Sequence, residues 1–315
     1  MSRMTRRHVL TGGATVALTG LAALATPTLA SAATQDTGAS AEAVALVTAV
    51  FRDKTSRDVD RFTAHFSQRN LTYTDATIGA QFLNWAALRA AFAQLMPTWP
   101  ATSRSYPTKI LGDANSAMVF FTDSPELFGH EIRVIAPIDF VDDKIIREVD
   151  YWDGRHFGSA ATAAIRTPPA QFPTDFGEGK AGERSSATMR GVASALVDAP
   201  STGDTAAAAA LFTTDAAFDD LTLHTSIIGQ PAIRGFLDRS RALLPYGLGT
   251  AIRHTVGSAR GGGYEWLNKG AQVDHGVVAL ELDDQARITR LTTVWDGSLV
   301  DNATLGTLLA TTLEQ

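Results

Sequence analysis

The sequence predicts an α+β protein made of two tandem cone-shaped barrels, in each of which a curved mixed sheet wraps around helices. Three observations carry this expectation. The end of one half recurs at the end of the other, a second motif recurs upstream at nearly the same spacing, and each half runs from helical to strand periodicity.

The recurrence is specific. Lys144-Ile145-Ile146-Arg147 followed by Trp152-Asp153-Gly154 matches Arg287-Ile288-Thr289-Arg290 followed by Trp295-Asp296-Gly297, at a constant offset of 143 residues. Upstream, Tyr73-Thr74-Asp75 and Ala87-Leu88-Arg89 match Phe218-Asp219-Asp220 and Ala232-Ile233-Arg234 at an offset of 145 residues. Two landmarks at each end with one small slip between them mark an internal duplication.

Each element follows from its pattern. Val44, Val47, Val50 and Phe51 fall on one helical face, as do Met189, Val192 and Leu196. Residues 60–66 and 206–212 read as second, short helices. A third helix begins near Trp85 in one half and at Pro231 in the other, since proline suits a first helical turn. Strands are expected at 117–122, 131–141 and 145–152, and again at 273–282 and 288–295. Met118 and Phe120 alternate with Val119 and Phe121, so both faces of that strand are apolar. A sheet covered on both sides fits helices inside its curve and another sheet behind it. The two copies are therefore expected to pack sheet to sheet as an internal pseudo-dimer. Pro168-Pro169, Pro173 and Gly177-Glu178-Gly179 give residues 159–187 the character of an exposed linker. Gly261-Gly262-Gly263 reads as a turn rather than a phosphate cradle.

At the N-terminus, Arg6-Arg7 precede a weakly apolar run to Leu29, and Ala30-Ser31-Ala32 supply small residues for cleavage. Gly12, Gly13, Gly20 and Pro27 make this run a poor permanent membrane anchor. The expectation is a twin-arginine signal over residues 1–32 and a secreted or cell-envelope protein. A flexible stretch would follow at 33–40, the first copy at 41–158, the linker at 159–187 and the second copy at 188–315. Losing residues 1–32 removes Arg3, Arg6 and Arg7 and no acid, so the formal net charge moves from −6 to −9. So acidic a chain lacks the footprint of a nucleic-acid or anionic-membrane binder. There are no cysteines, which excludes disulfides and thiolate metal sites. The histidines His65, His130, His156, His224, His254 and His275 show no metal-ligand spacing. No metal and no cofactor are expected.

This pattern resembles the nuclear transport factor 2-like superfamily, which includes SnoaL-like cyclases, ketosteroid isomerases and limonene-epoxide hydrolases. The resemblance rests on an acid after Tyr73-Thr74, Ala87-Leu88-Arg89 opening the third helix, and the final strand ending in Trp152-Asp153. It implies that Asp75 falls at the general-base position of the isomerases and that Asp139, in Val134-Ile135-Ala136-Pro137-Ile138-Asp139, falls at their oxyanion-binding acid. Phe51 stands where that family has an oxyanion tyrosine, so one hydroxyl is missing. Asp150 and Asp123 fall at acid positions of the epoxide hydrolases, while Phe121 occupies their arginine position. Tyr73, Trp152, Phe51 and Phe121 would line the pocket and bind substrate. In the second copy Asp220 keeps the base position, whereas Leu282 and Thr293 replace the other two acids.

The resulting expectation is a cofactor-independent acid–base enzyme acting on a hydrophobic small molecule in natural-product metabolism, with its chemistry mainly in the first copy. Cyclisation, isomerisation and epoxide opening all fit. The alternative is a secreted non-catalytic binding or assembly protein on the same fold.

Overall fold

In the computed structural model, which describes residues 38–201 and 203–313, two six-stranded mixed sheets share one strand order. The first runs β2-β1-β6-β5-β4-β3 and the second β8-β7-β12-β11-β10-β9. In sequence these strands are β1 (Thr72–Asp75), β2 (Ala80–Phe82), β3 (Ser105–Gly112), β4 (Ser116–Asp123), β5 (Ile132–Val141) and β6 (Lys144–Asp150). The second set comprises β7 (Phe212–Asp220), β8 (Thr225–Ile228), β9 (Ala251–Gly257), β10 (Gly261–Leu267), β11 (His275–Leu282) and β12 (Ile288–Trp295). Within each sheet one pair is parallel, β1 with β6 and β7 with β12, and its register sets equivalent residues side by side. Asp75 lies opposite Asp150, as Asp220 lies opposite Thr293.

Three helices are common to both halves, and the first half adds a single turn, Pro125–Phe128, between β4 and β5. In the first half α1 (Ala41–Thr55) is capped by the Ser40 hydroxyl, α2 (Val59–Thr63) by Asp58 and α3 (Trp85–Leu95) by Asn84. Each cap satisfies a backbone N–H that the first helical turn leaves free. The second half has α4 (Ala187–Ser201), α5 (Thr205–Ala210) and α6 (Gln230–Ser240), the last with Pro231 in its first turn. No helix among the described residues is long and apolar enough to cross a membrane.

Each half has its own core. Val47, Phe51, Phe62, Leu88, Phe92 and Phe121 belong to the first, and Met189, Phe212, Phe236, Trp266 and Trp295 to the second. A third cluster draws on both sheets, with Leu111, Met118, Ile135 and Val149 from one and Val256, Val277, Ala279 and Val294 from the other. Beside it lies a charged network with no exposed surface. Arg147 Nη2 donates to Glu265 Oε1 at 2.9 Å, Tyr151 Oη donates to the same oxygen at 2.7 Å, and Arg147 Nε donates to the Phe176 carbonyl at 2.9 Å. Asp139 completes it, 2.8 Å from His254 Nε2 and 3.7 Å from Arg147 Nη1.

Several expectations change here. The glycines at 261–263 are not a turn: they begin β10, which pairs with both β9 and β11. A Cβ on Gly263 would overlap the Val278 carbonyl oxygen and stand 2.8 Å from the Ala279 Cα, so glycine is what lets β10 take this backbone conformation beside β11. Residues 159–187 are not a bare linker. They hold the short helices Ser159–Ile165 and Glu178–Ala181, and Phe176 is fully buried beneath the Arg253 guanidinium, 4.0 Å from its ring. Ala39, inside the stretch read as flexible, forms a parallel bridge to Gly112. The twin-arginine segment lies outside the described residues. Strands β1, β2, β3, β7, β8, β9 and β10 carried too little apolar alternation to be foreseen.

A buried arginine facing two buried acids gives a direct test. Arg147→Met should cost about 3–5 kcal/mol, because Glu265 and Asp139 lose the cation that balances them. Urea unfolding of the variant measures this, and a midpoint within error of the parent would show that the network is not holding the sheets.

Candidate functional site

A strand turns successive side chains to opposite faces, and β6 uses both. Arg147, Val149 and Tyr151 face the second half. Glu148, Asp150 and Trp152 face the interior of the first cone, where a cavity of about 290 Å³ opens. Its walls are mainly apolar and include Phe82, Phe92, Phe128, Ile132, Val134 and Phe157, with Ile165 contributed by the segment after β6. Into this lining project Lys54, Tyr73, Asp75, Asp123, Asp150 and Trp152.

Asp75 closes β1. Its Oδ1 accepts the backbone N–H of Thr77 at 3.0 Å and of Ile78 at 3.1 Å, and Trp152 Nε1 donates to both oxygens at 3.0–3.1 Å. Asp75 is half-buried and lines the cavity. Burial raises its pKa to about 6, against the lowering effect of these N–H donors; the more distant Asp296 carboxylate adds to the rise.

Asp150 lies beside it across the parallel pair. Tyr73 Oη donates to Asp150 Oδ2 at 2.5 Å, while Asp150 Oδ1 has no partner. Burial first, then the Glu148 carboxylate two residues away, holds the Asp150 pKa well above the ordinary carboxylate range. Glu148 is also pushed upward by burial, and its Oε2 too has no partner. Tyr73 is driven well above the ordinary phenol range by burial and by Asp150, so its proton stays in place as a donor.

Asp123, at the end of β4, sits in a different environment. Lys54 Nζ donates to its two oxygens at 3.0 and 3.1 Å, and the Ser105 hydroxyl donates to Oδ1. The ammonium also stands 5.0 Å from the Phe121 ring centroid, an arrangement worth about 0.5–2 kcal/mol where water is excluded.

The structure thus gathers Asp75, Asp123, Asp150, Tyr73 and Trp152 around one cavity. Asp139 is not among them and must be corrected. Val134, Ala136 and Ile138 turn to the interior of the cone, so Asp139, one residue out of phase, turns to the second half and meets His254. Phe51 and Phe121 pack against each other behind the wall, with ring centroids 4.8 Å apart, rather than lining the cavity. Sequence reasoning missed Lys54 and gave Glu148 no role. The signal for Lys54 was present: it follows Val47, Val50 and Phe51 at the spacing that keeps a helix on its buried face.

In the second half the matching acid is fully engaged. Asp220 accepts from Tyr246 Oη at 2.8 Å, Trp295 Nε1 at 3.2 Å and the Leu223 N–H at 2.9 Å. Thr293 Oγ1, at the Asp150 position, donates to the Val277 carbonyl. Asp219 and Glu281 are held in ion pairs with Arg290 and Lys109. Asp153 and Asp296 cap the short turns that follow the final strands, as their glycine neighbours suggested.

Asp75 binds its proton more tightly in the folded chain than in the unfolded one, where an aspartate titrates near ~3.9. The stability it contributes is complete below that value and is lost as pH rises through about 6. Asp75→Asn should therefore gain on the parent protein in urea-unfolding midpoint as pH is raised across this window. Parallel pH profiles for the two proteins would show that Asp75 titrates as an ordinary solvated acid.

No protein-family model and no curated protein matches the chain. Among solved structures it is similar to a putative ketosteroid isomerase from Kribbella flavida, at 19% identity over 43% of this chain and 96% of that one, with a TM-score of 0.30. It is also similar to a steroid delta-isomerase from Pseudomonas aeruginosa, at 15% identity over 42% of this chain and 93% of that one, with a TM-score of 0.32. A nuclear transport factor 2-like protein of unknown function from Burkholderia xenovorans is similar at 15% identity over 35% of this chain and 82% of that one, with a TM-score of 0.30.

Proposed function

We propose that the chain is a cofactor-independent acid–base enzyme of the nuclear transport factor 2-like type, acting on a hydrophobic small molecule in the cavity of its first half. The observation that carries this reading is the pair Asp75 and Asp150, side by side across β1 and β6 on the wall of an apolar cavity. An isolated carboxylate buried in such a place costs several kcal/mol to ionise. The two acids meet that cost differently, and the difference gives them separate roles.

Asp75 is stabilised as an anion by three N–H donors, so near neutral pH it is ionised and can take a proton from a bound substrate. Asp150 has one donor, Tyr73, and a like charge beside it, so it keeps its proton and can give it to a developing negative oxygen. Isomerisation, ring closure and epoxide opening each need one such base and one such acid. The apolar walls exclude water from the exchange and select a substrate of hydrophobic character. The Ala/Thr/Gly-rich segment behind Arg6-Arg7 supports export by the twin-arginine route.

A second reading is a secreted binding protein that performs no chemistry. Phe51 and Phe121 favour it, because at both positions a ring fills space where related enzymes place a polar group.

Asp75→Asn separates the two readings. Its amide oxygen can still accept from Trp152, Thr77 and Ile78, so the cavity should survive and bind ligand within about threefold of the parent. Turnover should fall by about 10²-fold or more, the scale of a lost general base. Full retained turnover would remove Asp75 from the mechanism, and ligand binding without turnover in the parent protein would favour the receptor.

A further inference from the structure

The cavity of the first half is short of hydrogen-bond donors. Apart from the Asp150 carboxyl while it holds its proton, the described lining side chains with N–H or O–H groups are Lys54, Tyr73 and Trp152, and each is committed to a carboxylate. Lys54 donates to both oxygens of Asp123, Tyr73 to Asp150 and Trp152 to Asp75. What remains for a ligand is the Asp75 carboxylate, the Asp150 carboxyl, which becomes an acceptor once a bound cation displaces its proton, and ring faces. Asp150 is 6% exposed and its Oδ1 has no partner; Glu148 behind it has an unpartnered Oε2. Around them stand the rings of Tyr73, Phe82, Phe92, Phe128, Trp152 and Phe157.

The charges do not balance either. Lys54 is the one cation in the lining, and Asp123 engages it. Asp75 is held only by neutral N–H donors. An apolar cup with unbalanced carboxyls and aromatic walls attracts a group that is both a donor and a cation, since ring faces and carboxylates favour an ammonium over an equally sized neutral group.

We infer that the cavity takes a hydrophobic amine in its protonated form, with the ammonium seated between Asp75, Asp150 and the aromatic rings. This rests on the acid–base reading of the same cavity and names its substrate class. The amine supplies the positive charge that the site lacks, and it lets Asp75 stay ionised beside its neighbours. A positive centre near the reacting carbon would also make an adjacent C–H easier for Asp75 to deprotonate.

The pH dependence of binding follows from every group that faces Asp75. Tyr73 and Asp150 face it from β1 and β6, Trp152 from just beyond β6, and Lys54 with Asp123 from α1 and β4. Asp296, paired with Arg166, acts on it from the second half. Of these the carboxyls change state as pH falls, and each proton taken up weakens the hold on a cation.

The test uses the whole chain and two rigid probes of one shape, 1-adamantylammonium and 1-adamantanol, titrated calorimetrically. The ammonium is expected to bind about tenfold or more tightly than the alcohol near pH ~8, with the preference shrinking towards pH ~5. Near pH ~6 its binding should release protons, read as a dependence of the heat on the ionisation enthalpy of the buffer. Asp75→Asn should lose most of the preference while still binding the alcohol; the proton release needs no variant and stands if that one misfolds. Equal affinities, or tighter binding of the alcohol, overturn the amine assignment and leave the acid–base reading in place. Binding of neither probe overturns both.

Discussion

Everything else in this molecule depends on β6 bearing charges on both of its faces. A strand in the middle of a sheet has nowhere to send a charge but into one layer or the other. Arg147 goes outward and is answered by Glu265, with Asp139 close by; Glu148 and Asp150 go inward and are answered only in part, by Tyr73 and the distant Lys54. In the outward network Arg147 is paired and hydrogen-bonded with Glu265, and Asp139 with His254, although Asp139 Oδ1 and Arg147 Nη1 have no hydrogen-bond partner; such pairing is how a buried charge comes to be tolerated. The inward set is left unbalanced inside an apolar cone, and that imbalance gives the cavity its chemistry. One strand therefore joins the halves and equips the site.

The two halves show what the same scaffold does with and without that imbalance. The hydroxyls of Thr77 and Thr222 both bridge to the backbone of the final-strand tryptophan, Trp152 and Trp295 respectively. Each tryptophan in turn donates its indole N–H to the aspartate that closes the parallel strand, Asp75 or Asp220. The difference lies one position across the strand pair. Asp150 leaves an oxygen free, whereas Thr293 spends its hydroxyl on a backbone carbonyl. Tyr246 then reaches the acid that in the first half looks onto open space. A duplicated frame has kept its structural hydrogen bonds in both copies and its spare acceptors in one.

The repeat was legible in the sequence because its markers are structural: Trp-Asp-Gly and the acid at Asp75 and Asp220 recur since both copies need the same bonds. The helices were legible from their apolar spacing. The edge strands β2, β3, β8 and β9 were not, because a strand with one solvated side mixes polar residues such as Lys109 and Ser226 into its pattern. Of the site, Asp75, Asp150 and Asp123 were visible through the resemblance to the isomerases and epoxide hydrolases. Asp139 misled because a resemblance in local sequence says nothing about strand phase; its neighbours Ala136 and Ile138 point to one layer and it points to the other. The spacing of Lys54 after Val47, Val50 and Phe51 put it on the buried face of α1, but the carboxylate that engages it, 69 residues away, could not be read from that pattern.

The charged contacts between the halves also dictate an order of events during synthesis. Arg147 finds its carboxylate 118 residues later in the chain, and Asp139 finds its histidine 115 residues later. While the ribosome is still making the second half, the first presents an arginine, an aspartate and the apolar back of its sheet to solvent, with nothing to cover them. A nascent chain in that condition has an incomplete outer face and a lasting opportunity for wrong partners. The first barrel is thus finished from the C-terminal side, by strands that leave the ribosome last, and the unit that matures is the whole chain.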